Sequence, residues 1–134
     1  MPVQLDWGND AHTIVHMEFI GQWTWEEAYN GSRIGFEMLE SVDHQVNVII
    51  DMRRSTGLPV LALTHARNMI AKRHARTGMT VFLGANELFL TLWRIFSSAY
   101  KQVAHSQEFA FARDMDEANK IFAANPAPKT IQQT

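Results

Sequence analysis

Apolar and polar positions alternate along Val3-Gln4-Leu5-Asp6-Trp7, break at Gly8-Asn9-Asp10, and resume from Thr13 to Ile20. A period of two on either side of a Gly/Asn/Asp cluster predicts a β-hairpin with a tight turn. Gly21-Gln22 closes its second strand. The spacing then changes, with Trp25, Ala28, Ser32, Gly35 and Leu39 recurring at helical intervals. Thr24 with Glu27 three residues later reads as a capping box, and Trp23 and Ala28 are placed as a hydrophobic staple. This helix is expected to reach about Val42, with Asp43-His44-Gln45 linking it to a strand at Val46.

Val48-Ile49-Ile50 forms a continuous apolar run, as in a strand covered on both faces. Asp51 ends the run, and Arg53, Arg54, Ser55, Thr56 and Gly57 read as a short polar turn. A helix follows through Leu58, Ala62, Ala66, Met69 and Ile70, with Pro59 in its first turn, where a missing N–H costs little. Lys72, Arg73 and Arg76, followed by Gly78, match a helix C-terminus, so capping of the helix dipole accounts for that basic cluster. Met79 to Leu83 is the next strand, closed by Gly84, and Asn86 is an N-cap for Glu87 to about Lys101.

That helix is apolar on more than one face, where an amphipathic surface helix needs a single stripe. Its surplus predicts a dimer or partner surface built on Phe89, Trp93, Phe96 and Tyr100. Glu108 to Arg113 is a last strand, and Asp114 with Glu117 caps a short helix through Phe122. The order β-β-α-β-α-β-α-β-α predicts an α/β fold with a mixed, mostly parallel sheet, right-handed crossovers and an antiparallel N-terminal hairpin. One domain is expected over 1–125, with a loose tail over 126–134.

Composition narrows the function classes. At 134 residues and 46% hydrophobic, the chain can bury a single core and is not disordered. No apolar run is long enough to span a bilayer, and MPVQLDWGND lacks the regions of a signal peptide, so a cytosolic location is expected. Without cysteine there is no disulfide framework, thiolate nucleophile or cysteine-based zinc site. The net charge of −2 conceals a split: residues 1–51 carry nine acidic side chains against Arg33, and residues 52–86 carry six basic ones and no acid. Such a split marks either an anion- or partner-binding face or a solvated surface; nucleic-acid binding is not expected.

The chain has no nucleophile elbow, P-loop or dinucleotide-binding turn, and no convergent acid–base set, so an enzyme is not expected. His12, His16 and Glu18 share a strand face by period-two counting, but a polar edge-strand face explains them better than a metal site does. No metal or cofactor is expected. In a parallel sheet the strand-to-helix turns gather at one edge, and strand, polar turn and helix N-terminus in that order often hold a functional site. The expected crevice therefore comprises Trp23, Trp25, Asp51, Arg53, Arg54, Ser55, Thr56, Gly57 and Asn86, suited to a phosphate or carboxylate.

The element order, the strand ending in Asp51, the stretch Ser55-Thr56-Gly57-Leu58, the step Phe82-Leu83-Gly84-Ala85-Asn86 and the closing Asp114-Met115-Asp116-Glu117-Ala118 resemble the STAS domain. That is the fold of bacterial anti-sigma-factor antagonists and of sulfate-transporter C-terminal domains. The resemblance covers about residues 1–123. It implies a non-catalytic module that binds a kinase-like or anti-sigma-type protein partner and is switched by phosphorylation at Thr56 or its neighbour Ser55. Relatives that also resemble lipid-exchange domains imply an alternative, a carrier of a small apolar or anionic ligand. In that reading Trp23, Trp25 and the helix over 88–100 line an apolar pocket.

Overall fold

A computed structural model describes residues 2–72, 74–84, 87–99 and 109–124. Alternation makes β1 (Val3–Trp7) and β2 (Ile14–Gly21) an antiparallel pair, with Val3 opposite Phe19 and Trp7 opposite Val15. The six residues between them close on Asn9, whose side chain accepts from the Thr13 amide and donates to its hydroxyl. Next come α1 (Trp25–Glu40), β3 (Val46–Ser55), α2 (Ala62–Ala71), β4 (Thr77–Leu83), α3 (Glu87–Ala99), β5 (Phe109–Ala112) and α4 (Met115–Ala124). The predicted order is thus the observed one.

The five strands lie side by side in sequence order, and β2 through β5 are parallel. When every crossover has the same hand and steps to the next strand, its helix falls on the same face. Accordingly α1, α2 and α3 share one face of the sheet. Among the described residues the opposite face is covered by α4, whose Ala118 and Phe122 pack on Ile49, Val81, Leu83 and Ala112. An unreversed strand order has no switch point of the kind that opens a crevice at the sheet edge.

Local chemistry sets where each helix begins. Thr24 Oγ1 accepts from the Glu27 amide at 3.1 Å, and Glu27 Oε1 accepts from the Thr24 amide at 2.9 Å, which completes the capping box. Replacing Thr24 with alanine is expected to cost about 1 kcal/mol, read as a shift in urea midpoint at unchanged m-value. At the other end of the chain, Asp114 Oδ1 accepts from the Glu117 amide at 2.9 Å, and Glu117 reaches back to the Arg113 amide.

Two boundaries differ from expectation. β3 continues through Arg53 and Arg54 to Ser55, because Ile20 and Gly21 of β2 remain in register with Arg54 and Ser55. Conversely, α2 begins at Ala62, after Pro59 and not around it. Leu61 has φ 64, a left-handed conformation that a right-handed helix cannot contain. Trp25 Nε1 holds the Val60 carbonyl just before it at 2.7 Å.

α1 lies directly on β1 and β2 because Gly31 permits it: a Cβ there would come within 2.7 Å of Val3 Cγ1 and 3.1 Å of Met17 Cε. α4 makes a similar close approach to β4 and β5. α2 instead makes its close approaches to α1 and α3. A space is left between these helices and the middle of the sheet.

Candidate functional site

A cavity of about 570 Å³ occupies that space. Its floor is the helix-covered face of the sheet, with Met17 from β2, Val48 and Ile50 from β3, and Thr80 and Phe82 from β4. Trp25, Tyr29 and Phe36 of α1, Leu58 of the β3–α2 connection, and Ala66 and Met69 of α2 form its other walls. Trp93 of α3 and Phe109 of β5 close the far side, where Phe82 and Trp93 lie 5.5 Å apart and Trp93 and Phe109 4.8 Å apart. Burial along β3 records the cavity directly. Val46, Ile49 and Asp51 are buried, whereas Val48 and Ile50, in the central strand of a five-stranded sheet, are only half-buried.

Polar groups near the cavity concentrate between α1 and α2. The Tyr29 hydroxyl shares a hydrogen bond with His65 Nδ1 at 2.8 Å, and Asn68 Nδ2 approaches it at 3.5 Å. Trp25 stacks on the His65 ring with centroids 5.0 Å apart, and Trp23 meets Trp25 edge-on at 4.8 Å. Together with the Trp25 bond to Val60, these contacts brace α2 and its leading loop against α1. The partners of His65, Tyr29 and Trp25, are 36 and 40 residues away in the sequence. Arg33 and Lys72, which also border the cavity, are exposed.

The expected crevice at Asp51–Gly57 is divided by the sheet. On the helix side, Trp23 Nε1 donates to Ser55 Oγ at 2.9 Å, and Ser55 Oγ donates to the Gly57 carbonyl at 2.9 Å. Ser55 is therefore engaged and half-buried, while Thr56 is exposed with its amide bonded to the Gly21 carbonyl. With α2 starting at Ala62, neither hydroxyl lies at a helix N-terminus.

Asp51, Arg53 and Arg54 belong to the opposite face. Asp51 is 0% exposed and accepts four hydrogen bonds. Its Oδ1 takes the Arg53 amide at 3.1 Å and Arg53 Nε at 3.0 Å, and its Oδ2 takes Arg53 Nη2 and His16 Nε2, each at 2.9 Å. A register shift between β2 and β3 explains the first of these: Glu18 pairs with Asp51 but Ile20 pairs with Arg54, so β3 carries an extra residue there. The amide displaced from the regular ladder is received by the carboxylate. Burial alone would push the Asp51 carboxyl up, but the Arg53 and His16 hydrogen bonds outweigh it and hold it below the ordinary range. The same carboxylate pushes the Arg53 guanidinium up.

A carboxylate with four donors on two oxygens is a strut between strands, with little capacity left for a ligand. Gly84 keeps it in place: at φ +70 it passes so close to Arg53 that any Cβ would collide with the Arg53 side chain. Arg54 pairs with Glu18 at 3.6 Å. His12, expected beside His16 and Glu18, instead stacks on Trp7 at 4.2 Å in the hairpin connection. Among the described residues no group of three His, Cys, Asp or Glu side chains could hold a metal.

Within the basic segment Arg76 has a different task from the one expected, and Arg73 lies outside the described residues. Arg76 Nη1 donates to the Leu39 carbonyl at 3.1 Å, so this cation caps the C-terminus of α1, not of α2. His74 and Arg76 both reach Glu40, and Gly78 lies inside β4. Of the expected self-association surface, Trp93 turns toward the cavity, while Ile95, outside that expected set, is 49% exposed on the same helix. The side chains of Phe89 and Phe96, and Asn86, Tyr100 and 126–134 altogether, lie outside the described residues. No helix among the described residues is long and apolar enough to cross a membrane.

The sequence places Trp23, Trp25 and, in the carrier reading, the helix over 88–100 at a pocket, whereas Trp93 is expected at an interface; the floor has no counterpart in that reading. Met17, Val48, Ile50 and Phe82 have the same pattern whether they face a packed helix or open space, so no sequence signal separates the two. No protein-family model and no curated protein matches the chain. Among solved structures it is similar to an uncharacterised protein of the DUF3478 family from Shewanella loihica PV-4, described as having a SpoIIAA-like fold. The two are 16% identical over 88% of this chain and 90% of that one, with a TM-score of 0.59. At that identity the likeness speaks for the fold alone, and this chain has a SpoIIAA-like α/β fold, the architecture that the STAS resemblance implied.

Proposed function

We propose that the protein binds a small, largely apolar molecule in the cavity between its sheet and α1–α3. The observation that carries this reading is the cavity itself: about 570 Å³, lined mostly by aliphatic and aromatic side chains. Protein interiors pack like organic crystals and leave few voids larger than a water, whereas ligand sites measure roughly 300–1,000 Å³ and are mostly apolar. The bracing of α2 by Trp25, Tyr29 and His65 supports a pre-formed site.

Trp23, Trp25 and Trp93 border the cavity, so binding reports on itself. Titration with the neutral dye Nile red is expected to quench tryptophan emission saturably with one-to-one stoichiometry, and native mass spectrometry of the purified chain is expected to retain a small molecule. A linear, non-saturating dye response with no retained mass removes the proposal.

A second reading, a regulatory module for a protein partner, draws on the loop before α2. Thr56 is exposed there, and Val60 and Leu61 are 82% and 67% exposed, an apolar tip open to a partner. A phosphate on Thr56 would bring a charge of about −2 beside that tip. The structure gives that phosphate no helix N-terminus, and Arg53 and Arg54 already serve Asp51 and Glu18. Pull-downs with wild type, Thr56→Ala and Thr56→Glu are expected to differ in captured partner if this reading holds. Indistinguishable profiles dismiss it.

A further inference from the structure

The polar groups around the cavity are not equivalent. Tyr29 shares its hydroxyl with His65 and Asn68, and Ser32 is only half-buried. Thr80 differs from both. It is 7% exposed, it borders the cavity, and its side chain has no hydrogen-bond partner among the described residues. Its placement follows from the register: Thr80 pairs with Val48 on one side and Phe109 on the other, and all three face the same space. The next residue, Val81, points to the opposite core with Ile49 and Leu83.

Thr77 of the same strand also lines the cavity but is partnered. Native proteins provide a partner for nearly every buried polar atom, so the unpartnered Thr80 hydroxyl in a mostly apolar floor marks where a ligand supplies one. A threonine hydroxyl offers one donor and two acceptor lone pairs, and so can meet an alcohol or a carbonyl oxygen. A carboxylate there would be a buried charge between Val48 and Phe109, while the bordering cations Arg33 and Lys72 are exposed on the helix side. Resting on the cavity reading above, we propose that Thr80 is its specificity-determining residue. It selects a largely apolar molecule that carries a neutral hydroxyl or carbonyl oxygen.

Displacement of Nile red by n-butylbenzene, 3-phenyl-1-propanol and 3-phenylpropanoate tests this, in wild type, Thr80→Val and Thr80→Ser. Valine matches threonine in shape and removes only the hydroxyl; serine keeps it. Thr80→Val is expected to weaken the alcohol relative to the hydrocarbon by about tenfold, the size of one neutral hydrogen bond at the upper end of its range. Hydrocarbon affinity should be unchanged or higher, and Thr80→Ser should retain the alcohol preference. Since the valine variant loses an unpartnered buried group, its melting temperature should not fall. An alcohol-to-hydrocarbon ratio that is the same in wild type and Thr80→Val overturns the role of Thr80 while leaving the cavity reading intact. A carboxylate bound more tightly than the alcohol overturns the neutral-oxygen assignment. Failure of wild type to bind Nile red or any of the three probes overturns both.

Discussion

Replacing Asp51 with alanine is expected to lower the unfolding free energy by about 2–3 kcal/mol and to remove a component of acid sensitivity. Deleting one partner of a buried charged pair typically costs about 3–5 kcal/mol, because the other is left uncompensated. Here the side chains of Arg53 and His16 are 42% and 24% exposed, so water partly replaces the lost carboxylate and the lower figure is appropriate. The Arg53 amide at the bulge loses its acceptor as well. Against a total of about 5–15 kcal/mol, the loss is large enough to read from a urea midpoint.

The pH dependence follows from the sign of the Asp51 shift. Its folded-state carboxyl titrates below the unfolded one. The associated stability is therefore fully present above the ordinary carboxylate range, near pH 4, and is lost as pH falls through the lower, folded value. Wild type should lose stability more steeply than Asp51→Ala below about pH 4. A midpoint for Asp51→Ala within about 0.5 kcal/mol of wild type, the range of an ordinary surface substitution, would show that the four hydrogen bonds contribute no net stability.

Val48→Phe carries the second large effect, and its sign separates two descriptions of the same place. Val48 lies on the cavity floor in the central strand, half-buried beside the fully buried Ile49. If the space above it is a binding site, phenylalanine enters that space without strain, in a strand environment that favours aromatic residues. Stability is then unchanged or raised by up to about 1 kcal/mol through added apolar burial. Nile red affinity should fall at least about tenfold, because the ring takes the volume that the dye needs. A packed core would respond in the opposite way: overpacking costs about 1–3 kcal/mol. A clear drop in melting temperature with dye binding intact would therefore refute the cavity as the binding site.

Much of the architecture was legible in order of residues. Alternation over 3–7 and 13–20, the Thr24/Glu27 box and the Asp114 cap are local signals, and the structure uses each as expected. The two boundary surprises and the reassigned Arg76 cap share one cause. Arg53-Arg54-Ser55 looks like a turn until pairing with Ile20 and Gly21 makes it strand. Pro59 looks like a helix start until Trp25 fixes Val60. Arg76 looks like the cap of its own helix until the fold brings Leu39 to it. In each case a contact more than 30 residues away outweighed a local preference of about 1 kcal/mol or less.

By itself, the sequence determined the elements, their order and hence the mostly parallel sheet, because periodicity and caps act over a few residues. It also determined which residues carry aromatic and charged groups. Only the tertiary structure decided where those groups meet. The sheet separates Asp51, Arg53 and Arg54 from Trp23, Trp25 and Ser55, which a linear reading places in one crevice. The close approach at Gly31 presses α1 onto β1 and β2, while α2 makes its close approaches to α1 and α3, and the cavity lies between these helices and the sheet. A space has no residues of its own. It arises from the distances between elements, and those depend on packing that no stretch of the chain contains.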